Sequence, residues 1–388
     1  AVVDPEAYMS AVEIIRYWGY PVEIHEVMTG DGYILNLFRI PHGKHSQTNS
    51  SCHRPAVLFV HALVGSASEF ILNPPESCPA FLLADAGFDV YLLNHRGTTY
   101  SKRHITLKPW DNKFWQFTMD EYAKYDVPAV IDKVLELSHQ NSLYMVGHSQ
   151  GTTVGFMTLS DFPEYNRKVN GLFQLAPPGT ASYGKGILRL IPLIKFIKPI
   201  ADLYRNVLGS HEVAFQWSFL YRPRLCEIIP IVGSYVCNNI ISQGIVGPSS
   251  RSLNVSRTAI LLAHFPSGTS TWNYLHWAQM ISSRRVEHMD HNPLENIQRY
   301  GQETPPPYNY AKVDVPVYLF WSEADWVTTP AELEKIVLPT PRKEVVKGGR
   351  HITGYNHIDY VFAPDCGEMV YKPITEIVRR QESEMCER

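Results

Sequence analysis

The pentapeptide Gly147-His148-Ser149-Gln150-Gly151 sets a serine between two glycines, each two residues away. A G-x-S-x-G pattern also arises by chance, so its flanks decide what it is. Here the apolar run Leu143–Val146 precedes it, and a helix-like stretch, Thr152–Met157, follows. That context predicts a strand, a strained turn carrying the serine, and a helix whose N-terminus brings partial positive charge to a developing oxyanion. Small residues at 147 and 151 let strand and helix approach each other. The competing reading is a glycine-rich turn with an incidental serine, and the flanking elements weigh against it. The chemistry such a turn performs is nucleophilic acyl transfer.

A serine hydroxyl attacks only when a histidine takes its proton, and a carboxylate must orient that histidine. On this kind of turn the chain order is Ser, then Asp or Glu, then His. Val315–Trp321 reads as a late strand. The loop after it, Ser322-Glu323-Ala324-Asp325, offers two carboxylates, with Asp325 favoured over Glu323. Asp290 and Asp314 lie off any clear strand end and read as solvated surface. The histidine should follow the next strand, placed at Lys343–Lys347, where His351 and His357 both qualify and spacing does not separate them. His148, inside the motif, points away from the Ser149 hydroxyl and reads as structural. An oxyanion needs two backbone donors, and one is the amide of Gln150. The other is expected from the loop His61-Ala62-Leu63-Val64-Gly65 after an early strand, with Leu63 as the donor.

These residues need a scaffold, and the hydrophobic pattern supplies one. Residues 5–18 predict a helix with Val12, Ile15 and Trp18 near one face. Glu23–Met28 and Tyr33–Ile40 flank Thr29-Gly30-Asp31-Gly32 and predict a β-hairpin. Residues 41–54 are rich in turn formers and read as a surface loop. Strands are then predicted at Ala56–Val60, Asp89–Leu93, Ser142–Val146 and Gly171–Leu175, with helices at Pro79–Ala86, Val127–Leu137 and Thr152–Leu159 between them. Short apolar strands separated by helices indicate a mostly parallel sheet covered on both faces. The alternation breaks after Pro177-Pro178 and resumes at Val315, so an insertion between two parts of one sheet is the simplest organisation.

Composition narrows the function classes. Hydrophobic residues make up 45% of the 388 and charged ones 19%, enough apolar side chain to bury a sizeable core. A net charge of −3 with no basic stripe argues against nucleic acid as a partner. No apolar stretch is long enough to predict a transmembrane segment. The six cysteines, at 52, 78, 226, 237, 366 and 386, show no CxxC spacing, so no metal site is expected from them. Their even number fits disulfides and, with acceptor sequons for glycosylation at Asn49 and Asn254, points to a secreted or lysosomal route. A start at Ala1, without methionine or signal core, reads as a processed mature form.

The chain resembles the acid lipase family, which includes gastric and lysosomal acid lipases. The resemblance is carried by Tyr17-Trp18-Gly19-Tyr20-Pro21, Thr29–Leu35 (TGDGYIL), Leu83–Val90 (LADAGFDV), Asn94-His95-Arg96-Gly97 and Phe114–Ala129. It continues through Gly147–Thr152 (GHSQGT), Pro266–Trp277 (PSGTSTWNYLHW) and Tyr300–Tyr308 (YGQETPPPY), and so spans nearly the whole length. It implies an α/β-hydrolase with a mostly parallel central sheet and an inserted, mainly helical cap. Residues 1–179 and 306–388 would form the core and 180–305 the cap, with a lid at roughly 211–243. It implies hydrolysis of triacylglycerols or cholesteryl esters at a lipid–water interface, without metal or organic cofactor. By motif, Ser149 is the nucleophile, Asp325 the acid, and Leu63 and Gln150 the oxyanion donors. His357-Ile358-Asp359-Tyr360 matches the segment that begins with the family's catalytic histidine, which selects His357 over His351. Cys226 and Cys237 match the family's disulfide within the cap.

Ile228–Val236, between those cysteines, is the expected lid, and Gly186–Tyr204 reads equally as an interfacial segment or a packed cap helix. This chain also departs from the family. Ala62 stands where glycine is usual, a cost of about 1 kcal/mol if the backbone there needs a positive φ. His95 replaces a usually small residue, and the loop around Asp325 lacks the usual glycines. Two alternatives share the fold: an esterase for soluble or sterol esters, and a catalytically weak lipid-binding protein.

Overall fold

The computed structural model describes residues 4–44, 54–190, 211–213, 244, 246–248 and 257–386. Among them, eight strands lie side by side in one sheet, in the order β1 (Glu23–Met28), β2 (Tyr33–Ile40), β4 (Asp89–Leu92), β3 (Ala56–Val60), β6 (Leu143–His148), β7 (Val169–Leu175), β10 (Val317–Trp321) and β11 (Val346–His351). A ninth, β5 (Arg103–His104), pairs with the start of β2. The six strands from β4 to β11 in this order run parallel. β1 and β2 form the antiparallel hairpin expected from their shared turn. A separate small ladder joins β8 (Glu212–Val213) to β9 (Thr269–Ser270).

β3 is apolar at every position because both faces of the sheet are covered. Val57 and Phe59 pack into the layer that holds the helices Ala11–Tyr17, Pro79–Asp85 and Lys372–Cys386. Ala56, Leu58 and Val60 point the other way, onto Val127–Ser138 and Gln150–Asp161. β7 pairs directly with β10 (Leu172 opposite Val317), although residues 176–316 separate them in sequence.

Two expectations need correction. The single helix at 5–18 is a 3₁₀ turn, Pro5–Tyr8, followed by Ala11–Tyr17. Ser10 starts the second piece through a reciprocal cap, its amide bonded to Glu13 Oε2 at 2.7 Å and its Oγ accepting from Glu13 N at 3.3 Å. The strand placed at Lys343–Lys347 begins later: Lys343–Val345 is 3₁₀, and β11 covers Val346–His351. His351 therefore ends the strand instead of lying in the loop beyond it. Asn49, Cys52, Cys226, Cys237 and Asn254 lie outside the described residues, as do the proposed lid beyond residue 213, Ile228–Val236, and Gly186–Tyr204 after Leu190. Cys78 and Cys366 are buried free thiols.

Buried charge ties distant segments together. Arg96, wholly buried after β4, donates to Asp126 Oδ1 at 2.8 Å and to Asp31 Oδ1 at 2.8 Å, and its guanidinium lies 4.0 Å from the Tyr33 ring centre. One side chain thus joins the hairpin turn, the loop after β4 and the residue leading into helix Val127–Ser138. His95 sits beside it, stacked on Tyr122 with ring centres 4.2 Å apart, its Nδ1 3.4 Å from Asp126. Its larger side chain is accommodated by this aromatic and acidic surround.

A second polar cluster docks residues 286–308 on the core. Tyr308 Oη donates to Asp120 Oδ1 at 2.6 Å, and His288 lies 3.5 Å from Asp120 and 3.2 Å from Asp161. Burial pushes the His288 pKa down, but hydrogen bonds to Asp120 and Asp161 outweigh it and raise it to about 9. Burial likewise opposes ionisation of Asp120, and His276 and His288 outweigh it, leaving that carboxyl well below its usual range. A histidine raised in the folded state stabilises fully below its unfolded value near 6.5, and that stability is lost as pH rises toward 9. The depressed Asp120 stabilises above about pH 4 and is lost below it. Thermal unfolding of wild type and His288→Asn should therefore differ by roughly 3–6 °C at pH 5–6. The gap should narrow steadily to pH 9.5; a gap constant with pH would refute the assignment.

Candidate active site

The residues with chemistry meet at the carboxyl ends of the parallel strands, where open α/β sheets form their clefts. Ser149 follows β6, His61–Gly65 follows β3, Asp325 follows β10 and His357 follows β11. Ser149 turns with φ 50° and ψ −120°, a conformation that costs a non-glycine residue roughly 1–3 kcal/mol. The surrounding backbone holds it there: Ser149 N donates to Leu175 O at 2.9 Å, and Ser149 O accepts from Thr152 N at 2.9 Å and Thr152 Oγ1 at 2.6 Å. A Cβ on Gly151 would stand 2.1 Å from Val60 O, and one on Gly147 2.8 Å from Gly151 C. Both glycines are there because two backbones nearly touch.

The Ser149 hydroxyl lies 2.6 Å from His357 Nε2, and His357 Nδ1 lies 3.0 and 3.1 Å from the two Asp325 oxygens. All three side chains are buried. Asp325 Oδ1 also accepts from Val327 N and Thr328 N, each at 2.8 Å, which fixes the carboxylate. The two competing residues, Glu323 in the loop after β10 and His351 at the end of β11, pair with each other instead. His351 Nε2 meets Glu323 Oε2 at 2.5 Å, with side chains 43% and 45% exposed. Burial thus separates one histidine–carboxylate pair from the other. Asp314 pairs with Arg342 at the surface, whereas Asp290 is half-buried and accepts from Asn296 at 2.8 Å, so it is not purely solvated.

The loop after β3 is a tight turn closed by Gly65 N donating to Ala62 O at 3.0 Å. Its left-handed residue is Val64 (φ 54°); Ala62 is not among the left-handed residues, so its Cβ brings none of the feared strain. The strain falls on a β-branched residue instead, held by Ser267 N donating to Val64 O at 2.6 Å. Ala62 N is already bonded to Glu69 Oε2 at 3.0 Å, so it is not free for an oxyanion. Leu63 N takes no part in the bond that closes the turn. Gln150 opens its helix, where the first amides have no partner within the helix. Its side chain is anchored by Trp277 Nε1 at 2.7 Å and Asn273 Nδ2 at 3.1 Å.

His61 fixes the start of the loop. Its Nδ1 donates to Ala62 O at 2.8 Å and its Nε2 accepts from His95 N at 3.2 Å. Burial, with His95 beside it, pushes its pKa down to about 3. His148 has the opposite setting: Nδ1 faces Glu69 and Nε2 lies 2.8 Å from His357 O. Burial opposes charge on His148, but the Glu69 carboxylate outweighs it and raises the pKa above the ordinary value.

Several contributors were invisible to pattern reading. Glu69 leaves one trace in the sequence, as a lone carboxylate within the otherwise uncharged stretch Pro55–Pro75. Asn273 and Trp277 lie in a recognised block without an assigned role. Val246 gives no sequence signal at all, yet its carbonyl accepts from His357 N at 3.1 Å and from Trp326 N at 3.3 Å, bracing both loops.

Residues 11–74 match the family described as a partial alpha/beta-hydrolase lipase region, and residues 55–191 match the alpha/beta hydrolase fold family. Over 379 residues the chain is 38% identical to lipase lipl-1 of Caenorhabditis elegans, covering 97% of this chain and 93% of that protein. The chain belongs to the acid lipase family. Gastric triacylglycerol lipase of Bos taurus is 36% identical over 97% of this chain and 92% of its own length. Among solved structures, an epoxide hydrolase from Vigna radiata superimposes with a TM-score of 0.51 at 14% identity, covering 92% of this chain and 98% of that one. That likeness reflects the α/β-hydrolase fold alone. Family membership makes the protein a carboxylic ester hydrolase of the lipase type.

The elbow geometry is directly testable. Gly151→Ala should lower unfolding stability by about 3 kcal/mol, because neither Val60 nor the helix can retreat without breaking β3 pairing. Gly244→Ala, where a Cβ meets nothing within 4 Å among the described residues, should be near neutral. Urea denaturation of both variants checks the contrast.

Proposed function

We propose that the acid lipase described here hydrolyses fatty-acyl esters of triacylglycerols or cholesteryl esters through an acyl-enzyme on Ser149. The observation that carries the reading is the continuous buried chain from Ser149 Oγ through His357 to Asp325. In this mechanism His357 Nε2 accepts the hydroxyl proton as Ser149 Oγ attacks the ester carbonyl. Asp325, facing Nδ1, keeps the imidazole oriented and stabilises its positive charge. The amides of Leu63 and Gln150 receive the oxyanion. His357 then protonates the departing alcohol. Water then gives a proton to the same nitrogen as its oxygen bonds to the acyl carbon, and His357 returns that proton to Ser149 Oγ as the acyl–Oγ bond breaks and the fatty acid leaves.

Residues 180–305 act as a cap in this proposal, with the lid at roughly 211–243 and a disulfide between Cys226 and Cys237. Support comes from the bonds that Asn273, Trp277 and Val246 make to the site from within that stretch. The name of the bovine relative, gastric triacylglycerol lipase, favours a triacylglycerol substrate. The sequons at Asn49 and Asn254 favour glycosylation and a secretory or lysosomal destination. The mechanism calls on no metal or organic cofactor.

Ser149→Ala should abolish hydrolysis of triolein and cholesteryl oleate and should prevent labelling by a fluorophosphonate. Asp325→Asn should retain labelling at a reduced rate, with kcat lower by roughly 10³–10⁴. Measured across the solubility limit of tributyrin, the wild-type rate should climb once an emulsion forms. A rate indifferent to the interface would favour the soluble-ester esterase, and turnover by the alanine variant would exclude Ser149 as nucleophile.

A further inference from the structure

One buried charge pair near the site has no part in the proton transfers above. Glu69 is wholly buried and its two oxygens do different jobs. Oε2 accepts from Ala62 N at 3.0 Å, at the start of the oxyanion loop, and Oε1 meets His148 Nδ1. The other nitrogen of His148 lies 2.8 Å from the carbonyl oxygen of His357. Its position depends on Gly65, where a Cβ would come within 2.3 Å of the Glu69 carboxylate.

Hydrogen-bond chemistry constrains the protonation state. A carbonyl oxygen only accepts, and so does an ionised Glu69, so with Glu69 as the carboxylate both ring nitrogens of His148 donate. That makes the ring an imidazolium between Glu69 and the His357 backbone. We propose that Glu69 and His148 are positioning residues: Glu69 fixes the oxyanion loop, His148 fixes the backbone of His357, and the charge on His148 sets the acid limit of catalysis. This rests on the reading of Ser149, His357 and Asp325 given above.

The electrostatic part follows from distance. The rings of His148 and His357 are 5.5 Å apart, while Glu69 lies on the far side of His148. A fixed cation there opposes a second positive charge on His357, so the base stays free to accept the Ser149 proton in more acidic solution. The carboxylate behind it offsets part of this effect. Other titratable groups around the pair are Asp325 beyond His148, Tyr360 at 6.4 Å from its ring, and Tyr371 toward Glu69. Burial pushes both tyrosines well above their usual range, so neither carries charge.

Glu69→Gln separates charge from hydrogen bonding. The amide can accept from Ala62 N and donate to Nδ1 of a neutral His148, which still donates to the His357 carbonyl. The experiment is the pH profile of kcat/KM, with fluorophosphonate labelling of Ser149 followed at each pH. The acid limb of Glu69→Gln is expected to move to higher pH by roughly half a unit to one unit, with KM little changed. Glu69→Ala, which also releases Ala62 N, should in addition lower kcat about tenfold at the plateau. In ¹⁵N-histidine spectra of wild type, His148 should show two protonated ring nitrogens, reduced to one in Glu69→Gln. An unmoved acid limb in a folded, labelled Glu69→Gln enzyme overturns the proposal, as does a singly protonated His148 in wild type. Failure of wild type itself to label would instead remove the acyl-enzyme reading on which it rests.

Discussion

The site depends on one close approach: helix Gln150–Asp161 starts against β3 at a separation that leaves no room for a side chain at Gly151. Contact with Val60 and His61 carbonyls fixes where the helix N-terminus stands relative to the loop that follows β3. The two proposed oxyanion donors, Gln150 and Leu63, sit on those two segments. A single van der Waals limit therefore sets the Ser149 turn and the spacing of the donors together. The strained φ of Ser149 is sustained because β7, through Leu175, and the first helical turn, through Thr152, leave it no alternative.

What the sequence made legible follows the same physics. The elbow was readable because close approach demands glycine, and glycine at both flanks leaves a signature. The central strands were readable because burial on both faces forces unbroken apolar runs such as Ala56–Val60. β11 is poorly marked because Gly348 and Gly349 occupy its middle, where strand preference offers nothing, and the apolar pair Val345–Val346 places the signal at its start. The break at Ser10 is hidden in the sequence because the apolar positions on either side keep helical spacing while the cap interrupts the backbone.

The choice between histidines shows a different limit. His351 and His357 lie six positions apart, and Glu323 and Asp325 two apart, so spacing cannot say which acid meets which base. In the folded chain each pair forms, one in solvent and one in the interior. Burial decides, and burial depends on what packs over the loops from elsewhere. Val246, about eighty residues upstream of Trp326, supplies part of that cover by accepting both Trp326 N and His357 N. Glu69 belongs to the same class: its partners, Ala62 and His148, are seven and seventy-nine positions away. A carboxylate with such partners looks unremarkable in one dimension.

The histidines around Ser149 divide by what faces their nitrogens. His61 is held neutral because a backbone N–H points at Nε2, and a nitrogen that accepts that hydrogen cannot carry its own. His148 is held charged because both of its nitrogens face acceptors. All four of those nitrogens already have partners other than Ser149. His357 differs from both, since its Nε2 faces a hydroxyl, a group able to donate or to accept. Of the three, it alone can pass a proton to and from Ser149 with its partners kept. The neighbours are locked so that the proton has one place to go.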